Sequence, residues 1–270
     1  MPASYIPVLS IAGSDSSGGA GIQADIKTIS ALGCYAMTAI TAITAQNTLG
    51  VTAIEGISPR VVASQIDAVA SDIPPLAVKL GMLYSTDILR VVCERLRAHR
   101  FEQTVVDPVM ASTSGSILLK GDEVVAEVRR TLVPAAYLLT PNLVEARIIA
   151  GTDDPLRQFS EIHAMGCRNI LLKGGDRSGA MKIDLLSLDW GERVIELASE
   201  AVDTANTHGT GCTLSAAIAS FLAMGRTLEQ SVSDAKRYID TALVAGAGVG
   251  IGSGHGPVNH FHNPVKQIIR

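Results

Sequence analysis

Short apolar segments rich in β-branched residues alternate with longer segments of helical periodicity along most of this chain, and this alternation limits the folds open to it. Four of the apolar segments, beginning at residues 8, 104, 136 and 169, are almost uninterrupted by polar residues. Such strands suit a sheet that is buried on both faces. Strands that alternate with helices predict an α/β fold, in which right-handed crossovers join a parallel sheet.

The predicted elements run from residue 8 to about residue 246. Strands are expected over 8–12, 37–44, 77–83, 104–109, 136–140, 169–173 and 183–188, and helices over 19–32, 59–70, 85–99, 122–132, 142–150 and 156–165. Residues 190–203 are expected to form one or two strands. Two helices are expected after them: the segment 207–212 opens the first, which ends near 224, and the second spans about 227–246. No linker or low-complexity segment divides the 270 residues. We therefore expect a single domain over 1–270.

Composition argues against several classes of function. A net charge of −4 gives no sign of a surface for nucleic acid or membrane. The sequence has no run of 18 uncharged apolar residues, and its first residues do not have the pattern of a signal peptide. Its four cysteines show no CxxC spacing, which argues against a disulfide framework or a zinc site. We expect a soluble cytoplasmic protein with reduced cysteines.

The first glycine-rich segment directly follows the first predicted strand. A Walker A loop is excluded, because no glycine of the chain is followed by Lys-Ser or Lys-Thr. Gly19, Gly21 and Ala24 fit the dinucleotide pattern GxGxxA. That pattern also requires an acidic residue about 20 positions later, and there is none between Lys27 and Glu55. A dinucleotide site is therefore excluded.

A second glycine cluster, over 209–213, directly precedes an alanine-rich helical pattern. Free amides at a helix N-terminus stabilise negative charge, and glycine lets them converge on one oxygen. The cluster therefore predicts an anion site. A plain helix start or a tight crossing of two elements would leave the same pattern, and spacing alone does not separate these readings.

Together, the two clusters resemble the ribokinase-like small-molecule kinases, and most closely the hydroxymethylpyrimidine/phosphomethylpyrimidine kinases of thiamine biosynthesis. Residues 12–25 read AGSDSSGGAGIQAD and residues 206–217 read NTHGTGCTLSAA. Between and after them, further matching stretches follow in the order of the family, at 44–48, 79–83, 106–110, 140–146, 173–175 and 256–260. The resemblance covers essentially the whole chain.

This resemblance implies a three-layer α/β/α sandwich, ribokinase-like, with a mostly parallel central sheet. It also implies that the protein uses ATP and Mg²⁺ to phosphorylate 4-amino-5-hydroxymethyl-2-methylpyrimidine, first to the monophosphate and then to the diphosphate. A homodimer is a further expectation from the family. Two alternatives remain open at this point: a pyridoxal/pyridoxine kinase, and a ligand-binding protein on the same fold without catalysis.

Cys212 is the residue expected to take the proton of the acceptor alcohol, assisted by the amides near Gly209 and Gly211. It stands where many ribokinase-like enzymes have an aspartate, and cysteine at this place is usual in the pyrimidine kinases. A thiolate is favoured at a helix N-terminus. Otherwise Cys212 would be a small buried apolar residue, as we expect for the other three cysteines, at 34, 93 and 167.

The acceptor site is expected beside the first glycine segment. The amide of Gln46 offers one donor and one acceptor group to an aminopyrimidine edge, although Gln46 could equally cap a turn. Asp25 lies one helical turn after Gly21 and could accept a hydrogen bond from the substrate, or be a surface acid. The resemblance adds Gly13, Met82 and Val109 to the walls of this site.

Carboxylates and one lysine are expected on the nucleotide side. Asp107 and Glu145 suit Mg²⁺, with water between them and the ion, although Glu145 with Asn142 also fits a capping box. The residues expected to bind nucleotide are Lys173, Asn142, Thr207 and Asp184. The tail histidines at 255, 260 and 262 lack metal-ligand spacing and are expected in loops. A flap is expected over 111–120.

Overall fold

A long, mostly parallel sheet runs through the centre of the molecule in the computed structural model, which describes residues 3–110, 122–174 and 179–270. Within these ranges the strand order is β3-β2-β1-β4-β5-β6-β7-β8-β9. The strands are β1 (Pro7–Asp15), β2 (Tyr35–Asn47), β3 (Gly50–Gly56), β4 (Ala77–Leu80), β5 (Thr104–Val106), β6 (Leu138–Leu139), β7 (Ile170–Leu172), β8 (Met181–Leu188) and β9 (Arg193–Glu200). From β2 to β7 all neighbours are parallel, whereas β3, β8 and β9 pair antiparallel.

Helices cover both faces of this sheet. They are α1 (Gly21–Ala31), α2 (Pro59–Asp72), α3 (Thr86–Ala98), α4 (Asp122–Glu127), α5 (Leu143–Ala150), α6 (Pro155–Ala164), α7 (Thr210–Ala223) and α8 (Leu228–Gly246). Side chains of a strand alternate between faces, so Leu9 of β1 packs in the core under α2 to α6, and Val8 in the core under α1, α7 and α8. The predicted three-layer α/β/α architecture is confirmed.

The sheet edge formed by β3 is the element that the sequence did not predict. Gly50 and Gly56 bound this strand, and none of its residues is buried. An edge strand without a buried face has no apolar alternation by which to recognise it. The predicted segment 190–203 is the single strand β9, whose residues alternate in exposure along its length. The flap expected at 111–120 lies outside the described residues.

Three cysteines and the tail histidines lie in the surroundings that the sequence predicted for them. Cys34, Cys93 and Cys167 are buried and free, as expected for small apolar residues. The tail histidines lie outside helices and strands. No helix in the described ranges is long and apolar enough to cross a membrane.

Candidate active site

A cavity of about 680 Å³ opens at the carboxyl ends of the parallel strands. This is where ligands bind in open α/β sheets, because the strands end there in loops and helix N-termini. The cavity has room for a nucleotide and a small ring together. All but one of the predicted site residues line it, namely Gly13, Gln46, Met82, Asp107, Val109, Asn142, Glu145, Lys173, Asp184, Thr207, Gly209, Gly211 and Cys212. The exception is Asp25.

The two glycine segments meet within this cavity. Gly209 has a φ of +79°, and a β-carbon built on it would lie 1.8 Å from the carbonyl oxygen of Gly19. The left-handed backbone and this close approach both require glycine at 209. The structure therefore places the first and second glycine segments side by side, at the entrance to α1 and at the entrance to α7.

The first glycine segment wraps around a carboxylate of the chain itself. Asp15 Oδ2 accepts hydrogen bonds from the amides of Gly19 (3.0 Å) and Ala20 (2.7 Å), while Oδ1 accepts from the amide and hydroxyl of Ser17. Burial works against the charged carboxylate, but the hydrogen bonds from His208, Ser17 and Ala20 together lower the pKa of Asp15 to about 2. The donors of this turn are therefore already occupied.

At the N-terminus of α7, two residues line the cavity with backbone amides that have no acceptor among the described residues. Gly211 and Cys212 lie in the first turn, so their amides have no acceptor within the helix. Gly209, the N-cap residue, supplies no side-chain cap. Amides in this position, together with the helix dipole, stabilise an anionic oxygen in front of the helix. This geometry favours the anion-binding interpretation of the second cluster.

Cys212 is a thiol rather than the thiolate that the sequence predicted. Burial raises the pKa of Cys212 to about 11; Lys79 opposes the shift, and Asp25 and Asp107 add to it. The expectation of a lowered pKa was wrong because desolvation and two nearby carboxylates outweigh the helix N-terminus. Cys212 still lines the cavity.

Asp25 does not face the cavity, in contrast to the sequence expectation. Its side chain is fully buried, with Oδ2 lying 2.8 Å from Nζ of the equally buried Lys79. The hydroxyl of Ser10 donates to the same oxygen. Burial raises the pKa of Asp25, and Lys79 opposes this. Asp25 belongs to a buried ion pair beneath the site, because its helix face turns towards the sheet.

A second ion pair lies beside the N-terminus of α7. Lys173 Nζ is 2.7 Å from Asp107 Oδ1. A β-carbon on Gly211 would lie 3.3 Å from both Asp107 Oδ2 and Lys173 Nζ, so this pair sits directly against the glycine. The arrangement puts one cation and one carboxylate next to the free amides of α7.

Glu145 and Asn142 form the capping box that the sequence allowed for. Each side chain accepts a hydrogen bond of 2.9 Å from the backbone amide of the other. Burial raises the pKa of Glu145 to about 7, although Lys173 opposes the shift. Glu145 therefore gains a proton more readily than a solvent-exposed glutamate does. The described residues contain no cluster of three or more His, Cys, Asp or Glu side chains that could hold a metal by itself.

Gln46 lies at the end of β2 on the other side of the cavity. Its amide contacts the hydroxyl of Thr44 (3.2 Å) and lies 3.3 Å from His208 Nε2. Gly13 lies against Met82, since a β-carbon on Gly13 would be 2.3 Å from the methyl group of Met82. Gly13 and Met82 thus give this side of the cavity an apolar surface beside the polar groups of Gln46, Thr44 and His208.

Two residues of this site were not singled out from the sequence. Asp15 and His208 both lie within the matched segments, and their side chains meet at 2.8 Å. An aspartate at a strand end followed by serines and glycines is typical of a turn in which the carboxylate accepts amide hydrogens. That signal could have identified Asp15, whereas no local signal identifies its contact with His208.

Comparison with known proteins shows what the chain resembles. A sequence profile of the family described as phosphomethylpyrimidine kinase matches residues 15–259. A hydroxymethylpyrimidine/phosphomethylpyrimidine kinase of Rhizobium meliloti is 49% identical over 261 residues, which cover 94% of this chain and 96% of that protein.

Solved structures agree with this result. The phosphomethylpyrimidine kinase of Clostridium difficile 630 is 44% identical with a TM-score of 0.76, over 88% of this chain and 99% of that one. The pyridoxal kinase of Staphylococcus aureus, in complex with AMP-PCP and pyridoxal, is 30% identical with a TM-score of 0.85, over 97% and 96%.

Proposed function

We propose, from the premise that this chain belongs to the phosphomethylpyrimidine kinase family, that it makes the mono- and diphosphate of 4-amino-5-hydroxymethyl-2-methylpyrimidine for thiamine biosynthesis. The chain is a phosphotransferase with a ribokinase-like fold. The observation that carries the site assignment is that both glycine segments, Gln46 and Cys212 face one cavity. An acceptor ring at Gln46 and a phosphate at α7 then share one enclosed space.

Gln46 is proposed to recognise the ring. Its side-chain amide has one donor and one acceptor group, which match the ring nitrogen and amino group of the aminopyrimidine edge. Gly13 and Met82 supply the apolar wall beside it. A ring held in this way can direct its hydroxymethyl group towards Cys212.

The free amides of Gly211 and Cys212 are proposed to stabilise the transferring phosphoryl group. Such donors are typically worth about 3–4 kcal/mol each to a transition state. Lys173, beside the same helix turn, adds positive charge, and Asp184 and Thr207 line the nucleotide side of the cavity. ATP is the proposed donor, in keeping with the AMP-PCP held by the pyridoxal kinase of similar structure.

Proton removal from the alcohol falls to Cys212 in this proposal. A loose transition state lets the alcohol keep its proton until late in the transfer. The thiol first loses its own proton to solvent; because burial raises the pKa of Cys212 to about 11, the small thiolate fraction is a strong base, and its sulfur takes the alcohol proton as the new O–P bond forms. Positioning and charge stabilisation then contribute most of the rate.

Mg²⁺ fits the oxygen donors on the nucleotide side. Asp107 Oδ2 faces Gly211 and is not the oxygen that pairs with Lys173. Asp107 and Glu145 would hold the ion through water, as Mg²⁺ retains several waters when it binds phosphates. Bound there, Mg²⁺ would neutralise phosphate charge. A homodimer, a single domain and a cytoplasmic location remain expectations from the sequence and the family.

An ATP-consumption assay with Mg²⁺ tests the proposal directly. Purified protein is given hydroxymethylpyrimidine, its monophosphate or pyridoxal. We expect turnover of both pyrimidines. Turnover of pyridoxal alone would show that the substrate is wrong, and tight binding of a ring without turnover would support a binding protein that lacks catalysis.

Gln46→Leu tests the acceptor site. We expect the KM for hydroxymethylpyrimidine to rise by about 100-fold or more, because a ring edge that loses both hydrogen bonds leaves polar groups unpaired. Gln65→Leu is the matched control, since Gln65 bonds the backbone of Ile40 from α2 outside the cavity. An unchanged KM in Gln46→Leu would remove Gln46 from the site.

A further inference from the structure

Asp15 and His208 line the cavity, but the proposed reaction uses neither side chain. Asp15 ends β1 and His208 immediately precedes the N-cap residue of α7. His208 Nε2 is 2.8 Å from Asp15 Oδ2, and the side chains are 7% and 3% exposed. A charge-assisted hydrogen bond this well buried is strong and geometrically strict.

Asp15 has little freedom to move. Besides His208, four donors from Ser17, Gly19 and Ala20 surround its two oxygens. The carboxylate therefore holds the whole turn before α1 in one conformation. The His208 side chain, which bonds Asp15, is therefore held in a fixed position relative to this turn.

His208 is held just as firmly on the opposite side. Its backbone amide donates to the carbonyl of Gly256 at 3.0 Å. A β-carbon on Gly19 would lie 2.4 Å from the imidazole Cδ2, so the ring packs directly against this glycine. The next residue is Gly209, the N-cap residue of the helix whose first turn holds the amides of Gly211 and Cys212. The imidazole thus ties the start of α7 to the turn before α1.

The pyrimidine-binding side is joined to the same pair. The Gln46 amide lies 3.3 Å from His208 Nε2. The backbone of Gln46 exchanges two hydrogen bonds of 2.8 Å with the hydroxyl of Ser16, which neighbours Asp15. Gln46 is therefore fixed by its backbone to the first glycine segment, and its side-chain amide nitrogen lies against the imidazole that bonds Asp15.

We propose that Asp15 and His208 form a positioning pair that sets the distance between the Gln46 amide and the free amides of Gly211 and Cys212. Acceptor recognition and phosphoryl stabilisation come from segments far apart in the chain, and this hydrogen bond joins them. Transfer rates depend steeply on the placement of the reacting atoms. The pair therefore determines both the affinity for the pyrimidine and the alignment of its hydroxyl, an inference that rests on the proposed function.

Three variants test this inference. His208→Leu keeps much of the side-chain bulk but removes the donor, whereas His208→Gln places an amide donor near the position of Nε2. His163→Leu is the matched control, because His163 is held in a similar way, by Cys167 O at 2.7 Å and Ser187 Oγ at 2.9 Å, but does not line the cavity. For each variant we would measure kcat, the KM for hydroxymethylpyrimidine, the KM for ATP, and Tm.

We expect His208→Leu to raise the KM for hydroxymethylpyrimidine about tenfold and to lower kcat about tenfold, with the KM for ATP within about twofold. His208→Gln should recover most of both losses. His163→Leu should lower Tm alone. The inference is overturned if His208→Leu behaves like His163→Leu, or if His208→Gln recovers nothing.

Failure of the proposed function looks different in the same experiment. If the wild type accepts only pyridoxal, the substrate assignment fails, and the KM for pyridoxal in the three variants still tests the pair. A wild type that turns over neither ring would overturn both the function and the inference.

Discussion

Buried ionisable side chains are the residues whose chemistry the structure defines most sharply. Lys79 and Asp25 are both fully buried and paired, so loss of either partner would leave an uncompensated charge that typically costs about 3–5 kcal/mol. Lys79 also opposes the rise in the pKa of Cys212, while Asp25 adds to it. The pair beneath the site therefore acts on the thiol above it with opposite signs.

The pH dependence of kcat tests whether Cys212 accepts the proton. Because the pKa of Cys212 is about 11, its thiolate fraction at lower pH increases about tenfold with each unit by which the pH is raised. If the thiolate accepts the proton, we expect kcat to rise with a similar slope between about pH 7 and pH 9. Cys212→Ala should be slower and lose this slope, whereas Cys34→Ala, a buried cysteine outside the cavity, should keep it. A flat wild-type profile would contradict the role of Cys212.

Helix α7 is the element on which the site depends, and it has a glycine at each end. The two glycines are required for different reasons. Gly209 before the helix and Gly225 after it both have a positive φ, of +79° and +86°. A β-carbon on Gly209 would overlap the carbonyl oxygen of Gly19, whereas one on Gly225 would meet no atom within 4 Å. Only the first glycine is required by contact as well as by conformation.

Alanine at each end separates backbone strain from close approach. Gly225→Ala should cost about 1–2 kcal/mol of stability, the penalty of a left-handed backbone, and leave kcat/KM within about twofold. Gly209→Ala carries the same strain and also pushes apart the two glycine segments, so we expect kcat/KM to fall by about 100-fold or more. Denaturant unfolding and steady-state kinetics of both variants measure this difference. Equal activity in the two variants would show that the contact at Gly19 is unimportant.

On the scale of the whole molecule, the C-terminal segment closes over the helices next to the site. Tyr238 of α8 donates its hydroxyl to the carbonyl of His260, and the imidazole Nε2 of His260 is buried without a partner among the described residues. Burial lowers the pKa of His260 from 6.5 to about 4, and the neighbouring Lys27 and His208 add to this shift. The folded protein therefore keeps His260 neutral.

Stability should depend on pH through this residue. In the unfolded chain, the His260 imidazole binds a proton more tightly than in the folded protein. The contribution of neutral His260 to the free energy of unfolding is therefore complete above about pH 6.5 and is lost as the pH falls towards 4. The loss between pH 7 and pH 5 is about 2 kcal/mol of unfolding free energy. Urea unfolding at both pH values should show His260→Gln losing that much less than the wild type. His255→Gln, at an exposed position, should match the wild type; equal losses in His260→Gln and the wild type would refute the assignment.

The order of strands and helices could be predicted because apolar periodicity is a local property of the chain. The parallel strands bring their carboxyl-end residues together, so Asp107, Asn142 and Lys173, all expected on the nucleotide side, line one cavity. Glycine spacing alone marked the entrance to α7. The edge strand β3 was missed because it buries no face and so carries no periodic signal.

Only the tertiary structure decided how the site residues are charged and what they contact. Cys212 is protonated and Asp25 is paired with Lys79 because burial and neighbouring charges, which no spacing records, outweigh local helix effects. The bond between Asp15 and His208 joins residues 193 positions apart. The sequence by itself determined which segments reach the site, since each depends on local pattern; the fold determined their ionisation and contacts, since both depend on what packs against them.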